Sequence, residues 1–457
     1  MNKLYCIFLA LLLTACQSLI EVDYPYNELT TRTVFEDDAT ATAAIRGIYA
    51  EMASRPYFSN GGIALLTGLS SDEFINVDEE YTDFYSTDLR SDEALLMNYL
   101  WRPAYQGMIY QANAALRGLH RSRGVTMAVR RQLIGEALFI RAFSYFYLTN
   151  LFGSIPLLTE ENFERSAFVA RTDQIIVYDT IIADLIKARD LLSDDKFTFT
   201  GAEPGRIRPT SWAASALLAR VYLYQKKWTQ AEEEATRVMD FYAPFSLASI
   251  NKVFNVSSPE AIWQLKANSP EMGSSDAQLF LPIDGGWPLV ALQPALIEAF
   301  SPDDQRSSAW LEGMDIDENV FYYSAKYKSL YNQTEEYHVE FRLAELYLIR
   351  AEARAHLNDP SGALVDLDAI RLRAGLSRLS GQDYTVPQII EAVQQERRLE
   401  LFAEGGHRWL DLKRLGNART VLSVVDGKDW QDTDLFYPIP QSEIDINPNL
   451  QPQNDGY

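Results

Sequence analysis

Apolar and polar positions follow a helical period over most of the chain. From Phe341 onward, Leu343, Leu346, Tyr347, Arg350, Ala351, Arg354 and Leu357 recur at three- and four-residue steps, which predicts a helix. Asn358-Asp359-Pro360-Ser361-Gly362 is a dense breaker cluster, because proline fixes φ and glycine admits positive φ. A second helix follows, with Ala363, Leu364, Leu367 and Ile370 on one face, ending near Gly375. Small residues at Ala351, Ala353, Ala355 and Ala363 let the two helices approach closely. Such a pair buries one face on itself and one on a neighbour, as tetratricopeptide-type hairpins do. Residues 209–241 repeat the form: Leu217, Ala219, Ala231, Ala235 and Val238 register with Ile349, Ala351, Ala363, Leu367 and Ile370 at one constant offset.

Further helices are predicted over 37–54, with Ile45, Ile48, Tyr49 and Met52 inward, and over 98–119, 126–152 and 172–192. In the last of these Ile175, Ile182, Leu185, Ile186 and Leu192 are the expected packing residues. Gly153 and Pro156 stop the third. The expectation is a mostly α protein, a superhelix of helical hairpins formed by residues 34–457 as one domain.

Two stretches lose the helical period, 55–90 and 242–340, and are read as loop-rich inserts forming a ligand-binding side. A short strand is predicted at Ala261 to Lys266 and a brief helix at Gln293 to Phe300. Both inserts mix aromatic and polar side chains: Asp72, Glu73, Asn76, Tyr81, Phe84 and Tyr85 in the first, Trp287, Trp310, Tyr322 and Tyr323 in the second. A pyranose offers an apolar C–H face on which rings stack and a hydroxyl rim that carboxylates, amides and guanidiniums hydrogen-bond. Both inserts thus offer such mixtures.

Residues 387–416 read as a charged helix. Glu396, Glu400 and Glu404 share a face at four-residue steps, with Arg397, Arg398, Arg408 and Asp411 interleaved among Leu399, Leu401, Phe402, Trp409 and Leu410. An acid–base pair for glycoside hydrolysis needs two carboxyls about 5–10 Å apart across a cleft. Carboxylates on one helix beside arginines stay ionised and paired, so Glu396, Arg397, Glu400, Arg408 and Asp411 read as a structural ion-pair network and no enzyme is expected.

The chain begins with Lys3, an apolar run from Leu4 to Leu13, and Leu13-Thr14-Ala15-Cys16. Ten helical residues reach about 15 Å, half of a bilayer core, which suits a signal peptide over 1–15 and not a membrane span. The last four residues form a lipobox, which predicts lipidation (diacylglyceryl and a further acyl chain such as palmitate) on Cys16 and a polar tether over 16–33. The other cysteine, Cys6, leaves with the signal peptide, so no disulfide or thiol chemistry remains.

Composition narrows the partners. Hydrophobic residues make up 47% of the 457, enough for a large core, and aromatics are 12%. A net charge of −22 argues against nucleic acid. The four histidines form no HxH or HxxxH pair, and no P-loop or G-x-S-x-G elbow occurs. No cofactor or metal is expected from motifs, and a structural calcium stays open.

Several motifs together resemble the SusD/RagB family of outer-membrane nutrient-binding lipoproteins. They are the lipobox, Arg141-Ala142-Phe143 with Leu151 to Leu157, Asp304-Gln305-Arg306, Lys326-Tyr327, Arg342 to Leu348, Glu396 to Leu401 and Asp411 to Gly416. The ending Tyr437-Pro438-Ile439-Pro440, Asn447-Pro448-Asn449-Leu450 and Gln453 to Tyr457 continues the likeness, with Asp455 where proline is usual. The resemblance implies capture of a glycan or oligosaccharide at the outer membrane, facing the cell exterior, beside a SusC-like TonB-dependent transporter. It also implies the candidate ligand-binding residues: Asp72 through the Ser71-Asp72-Glu73 triplet and, by region alone, the rings Tyr81, Phe84, Tyr85, Trp287, Trp310 and Tyr322. An oligopeptide-binding member of the same family is the alternative. A hydrolase and a protein-binding helical scaffold are the rivals outside it.

Overall fold

The computed structural model describes residues 34–54, 57–159, 168–194, 206–239, 244–267, 273–316, 319–331, 335–380 and 383–457. The expected signal peptide over 1–15, the expected tether over 16–33 and the expected lipidation site Cys16 lie outside the described residues. Among the described residues no helix is long and apolar enough to cross a membrane.

The longer helices are α1 (Asp38–Met52), α2 (Ile63–Ser70), α3 (Tyr110–Arg121), α4 (Met127–Phe152), α5 (Gln174–Leu191), α6 (Ser211–Tyr224), α7 (Trp228–Val238), α8 (Leu343–His356), α9 (Pro360–Arg373), α10 (Val386–Glu400) and α11 (His407–Leu415). From α4 to α9 each packs on the next, and α10 closes on α8 and α9, giving a superhelix of antiparallel hairpins. Local chemistry sets their ends. Asp37 accepts from the Thr40 amide at 2.8 Å and caps α1, Asp359 caps α9 ahead of Pro360, and Thr385 forms a capping box with Gln388 on α10. Gly153, at φ 72°, ends α4.

The two tetratricopeptide-like hairpins match in detail. All ten registered residues, from Leu217 to Val238 and from Ile349 to Ile370, are fully buried. Each hairpin also turns through a left-handed residue at the same register position, Lys226 at φ 54° and Asn358 at φ 62°.

Six strands in three antiparallel pairs knit the inserts to this scaffold. β1 (Phe74–Asn76) pairs antiparallel with β3 (Val290–Leu292), β2 (Ala261–Leu265) with β6 (His338–Arg342), and β4 (Leu311–Ile316) forms a hairpin with β5 (Asn319–Ser324). Trp263 of β2 sits in an aromatic core with Phe139, Phe143, Phe341 and Tyr49, at centroid distances of 5.0, 5.5, 5.8 and 6.4 Å. Such ring pairs add about 0.5–1.5 kcal/mol each beyond area burial.

Several expectations are corrected. The 55–90 insert contains a regular helix, α2, whose eight residues are all buried. A helix apolar on every side shows no amphipathic period. On α5 the packing face is Val177, Tyr178, Ile181, Leu185 and Ala188, while Ile175 and Ile186 are exposed. The helix expected from Phe341 starts at Leu343, because Phe341 and Arg342 belong to β6. The single charged helix is two: α10 ends at Glu400, and Ala403, Gly405 and Gly406, all at positive φ, turn the chain into α11, leaving Glu404 in the turn.

Candidate functional site

The charged residues of 387–416 converge inside the protein. Glu400 accepts from Arg306 Nη1 at 2.9 Å and Arg342 Nη1 at 2.5 Å, and Arg373 reaches it as well. Glu404 accepts from Arg342 Nε at 2.6 Å and Lys326 Nζ at 2.5 Å. Asp304 binds Arg306 at 2.7 Å, and Glu396 pairs with Arg306 at 2.7 Å and Arg371 at 3.3 Å. Burial works to raise the Glu400 carboxyl, but Arg373, Arg342 and Arg306 outweigh it and hold it well below the usual carboxylate range. With Arg397 and Arg414 both on Asp411, these carboxylates are ion-paired partners within the protein, not opposed groups across an open cleft.

The expected ligand residues separate into two groups. Asp72 is buried, its oxygens held by Arg408 Nε at 2.6 Å, Arg408 Nη2 at 2.9 Å and Arg398 Nη2 at 3.0 Å. Burial would raise its pKa, and these two guanidiniums lower it overall. A carboxylate withdrawn from water needs such partners, so Asp72 is not a loop-surface group. Phe84 is fully buried edge-on to Tyr437, at 5.5 Å. Trp310 is a core ring at the end of a helical turn, its Nε1 donating to Ile250 O at 3.2 Å and Lys326 Nζ lying 4.6 Å from its centroid. Tyr81 is buried behind Tyr99, to which it is hydrogen-bonded. Tyr85 donates to Asp426 O at 2.7 Å under Lys428. A ring with no open face cannot stack on a ligand, so Tyr81, Phe84 and Trp310 are placed as packing residues.

Trp287 and Tyr322 present open faces, 60% and 37% exposed. Trp287 follows a turn made by Asp284 at φ 52° and Gly285 at φ 78°. Tyr331 donates to Asp284 at 2.8 Å and fixes that turn. Tyr322 lies opposite Gly313 in the β4–β5 hairpin, where a Cβ would stand 3.4 Å from its ring.

A cleft of about 830 Å³ is lined by Tyr57, Tyr99, Glu80, Asn98, Arg102 and Gln106 among others. The Tyr57 and Tyr99 rings are half-buried, with centroids 4.7 Å apart and planes at 55°. Asn98 accepts from Arg102 at 3.2 Å on the cleft wall. That wall is π-helical over Leu96–Trp101 and Pro103–Ile109. π-Turns widen a helix by one residue and occur often at functional sites. The β1–β3 pair brings the inserts together. The chain towards Glu80 leaves the end of the sheet at which the Trp287 loop enters, with Val77 N donating to Leu289 O at 3.4 Å.

Tyr99 falls at the start of the helix expected over 98–119, and neither it nor Tyr57 is among the candidate ligand-binding residues read from the sequence. Aromatic content alone does not separate a cleft ring from a core ring. Pro103, inside the helix expected over 98–119, is the sequence feature that marks this wall as irregular. Among the described residues no three His, Cys, Asp or Glu side chains group as a metal site requires.

Comparison with known proteins fits this architecture. A sequence profile of the SusD family matches residues 316–457, and a second, described as starch-binding and associating with the outer membrane, matches 25–223. A SusD-like protein of Formosa agariphila is 26% identical over 100% of both chains. The starch-binding protein SusD of Bacteroides thetaiotaomicron is 36% identical over 26% of this chain and 21% of its own length. A SusD superfamily structure from Bacteroides vulgatus superposes with a TM-score of 0.78 at 20% identity, covering 93% of this chain and 100% of its own. Surface glycan-binding protein A of Bacteroides thetaiotaomicron, solved with laminarihexaose, superposes at 0.77 with 18% identity, covering 92% and 99%. With both sequence profiles, full-length relatives and the shared fold in agreement, the chain belongs to the SusD/RagB-like family.

Proposed function

We propose that the protein captures a glycan at the Tyr57–Tyr99 cleft and the neighbouring Trp287–Tyr322 surface, without hydrolysing it. The observation that carries this reading is the tilted Tyr57–Tyr99 pair, half open to a cleft whose walls carry amides, a carboxylate and a guanidinium. Rings supply stacking faces for pyranoses, and Asn98, Gln106, Glu80 and Arg102 supply partners for their hydroxyls. The family's starch-binding description and the laminarihexaose-bound neighbour support the same ligand class. The pairing of the α10 carboxylates Glu396 and Glu400 with arginines supports binding without turnover. In this reading a lipid on Cys16 tethers the protein to the outer membrane facing the exterior, and the glycan passes to a SusC-like TonB-dependent transporter.

A thermal-shift screen with laminarihexaose, maltohexaose, other oligosaccharides and oligopeptides tests the reading. A ligand that binds only the folded state raises the midpoint by mass action, about 2.7 kcal/mol at a hundredfold excess over Kd. A selective shift with one glycan supports capture. Shifts with oligopeptides alone would replace the glycan by a peptide, and sugar release from a polysaccharide would contradict the non-enzymatic part.

A further inference from the structure

A second candidate site lies beside the two arginines that hold Asp72, Arg398 and Arg408. A small cavity of about 30 Å³ is lined by Glu73, Arg397, Arg398, His407, Arg408 and Asp411 among others. Three nitrogens of these lining residues, Arg397 Nη1, Arg398 Nε and His407 Nδ1, are buried without a hydrogen-bond partner. Arg397 and His407 are 1% and 5% exposed. Unmade hydrogen bonds at buried guanidiniums are costly, and the nearby carboxylates are already committed. Asp411 is shared by Arg397 and Arg414, Asp72 by Arg398 and Arg408, and Glu352 pairs with Arg414. Four guanidiniums thus share three carboxyl partners, leaving an excess of one cationic group when Glu73 is neutral.

We propose that this cavity binds one halide-sized monovalent anion, chloride, through Arg397 Nη1, Arg398 Nε and the Nδ1–H of a neutral His407. The volume admits one or two water-sized species. A single water accepts two hydrogen bonds and brings two protons that need acceptors of their own. A spherical anion accepts from all three nitrogens and cancels the residual charge. Burial, together with Arg220, Arg397, Arg342 and Lys326, keeps His407 well below its ordinary pKa, which fits a neutral ring with one N–H to donate. Glu73 leads directly into β1, so the anion would sit at the root of the strand pair that joins the two inserts.

Glu73 is the internal competitor. Burial first, and then the Asp72 charge, push its carboxyl up to about 8 against the opposing pull of Arg408, Lys326 and Arg398, with Arg397, His407 and Asp411 also lining the cavity. Below that pH Glu73 is a neutral lining group. Above it, the carboxylate supplies the negative charge itself and displaces the anion.

The test is thermal unfolding of the mature chain in sodium chloride or bromide against sodium gluconate at equal ionic strength, at pH 6 and pH 9.5, with diffraction from bromide-soaked crystals. The expected result is a saturable rise in Tm with halide at pH 6, little at pH 9.5, and an anomalous bromide peak in the cavity. The Glu73→Gln variant should keep the halide response at both pH values. Equal midpoints in halide and gluconate at pH 6 would overturn the proposal. So would a halide response with only water in the cavity. The wild-type diffraction result decides the matter even where the variant fails to fold.

Discussion

Arg342 Nη1 meets Glu400 at 2.5 Å, with both side chains withdrawn from solvent and 58 positions apart along the chain. Arg342 comes from a strand and Glu400 from the last position of α10, so this contact fixes how the second hairpin docks on the helices that follow. Removing one partner leaves the others charged and unpaired. Glu400→Ala should cost about 3–5 kcal/mol in chemical denaturation. A loss below about 1 kcal/mol would show that the pair is not structural.

Acid should unfold the protein through this network. Glu400, Glu404 and Asp411 are all held below their ordinary pKa: burial opposes the shift, and the arginines and Lys326 prevail. A lowered folded pKa gives stability that is present above the unfolded value, near 4, and is lost as pH falls through the folded one. Glu73 has the opposite sign. Its folded pKa is raised to about 8, so its contribution is full below 4.5 and is lost as pH rises through about 8. Glu73→Gln should flatten the stability profile between those limits, read by denaturation across pH. An unchanged slope would place the effect elsewhere.

The matched hairpin turns make a simple prediction. Asn358 suits a left-handed conformation, and Lys226 does not. Lys226 is exposed and sits at the equivalent position. Lys226→Asn should stabilise the protein by about 1 kcal/mol, whereas the reverse change at Asn358 should destabilise it by a similar amount. Denaturation midpoints of the two variants moving in the same direction would refute the equivalence.

Gly406 joins α11 to α2. It stands at φ 68°, and a Cβ there would lie 2.7 Å from Thr67 Oγ1 and 3.0 Å from Ile63 Cγ2. Gly406→Ala combines left-handed strain, about 1–2 kcal/mol, with that clash. A measurable drop in Tm is expected, and wild-type stability in this variant would contradict the packing described.

These relationships show what the sequence could carry. The hairpins were legible because alanines, a breaker cluster and a constant register are local signals. The α2 helix was hidden because burial on all sides erases the period. The motif fragments Asp304 to Arg306, Lys326 and Arg342 were each visible, yet their convergence on Glu400 and Glu404 spans 58 to 94 residues and leaves no periodic trace. Ring placement was legible only in part. Trp287 sits among Gly285, Gly286 and Pro288 and is exposed, whereas Trp310 ends a helical turn and is core. Asp72 was read as a ligand group because its two arginine partners lie more than 300 residues away.

The most direct test of the proposed function is calorimetric titration of the glycan selected by the screen into wild-type protein and the Tyr99→Ala variant. Base–aromatic stacking in nucleic-acid proteins is worth about 1–3 kcal/mol per ring, and sugar stacking on Tyr99 is expected at the low end of that range. Binding to the wild type and a roughly tenfold weaker Kd in the folded variant is the predicted result. Equal affinity in the two proteins would contradict the Tyr57–Tyr99 cleft as the place where the ligand is held.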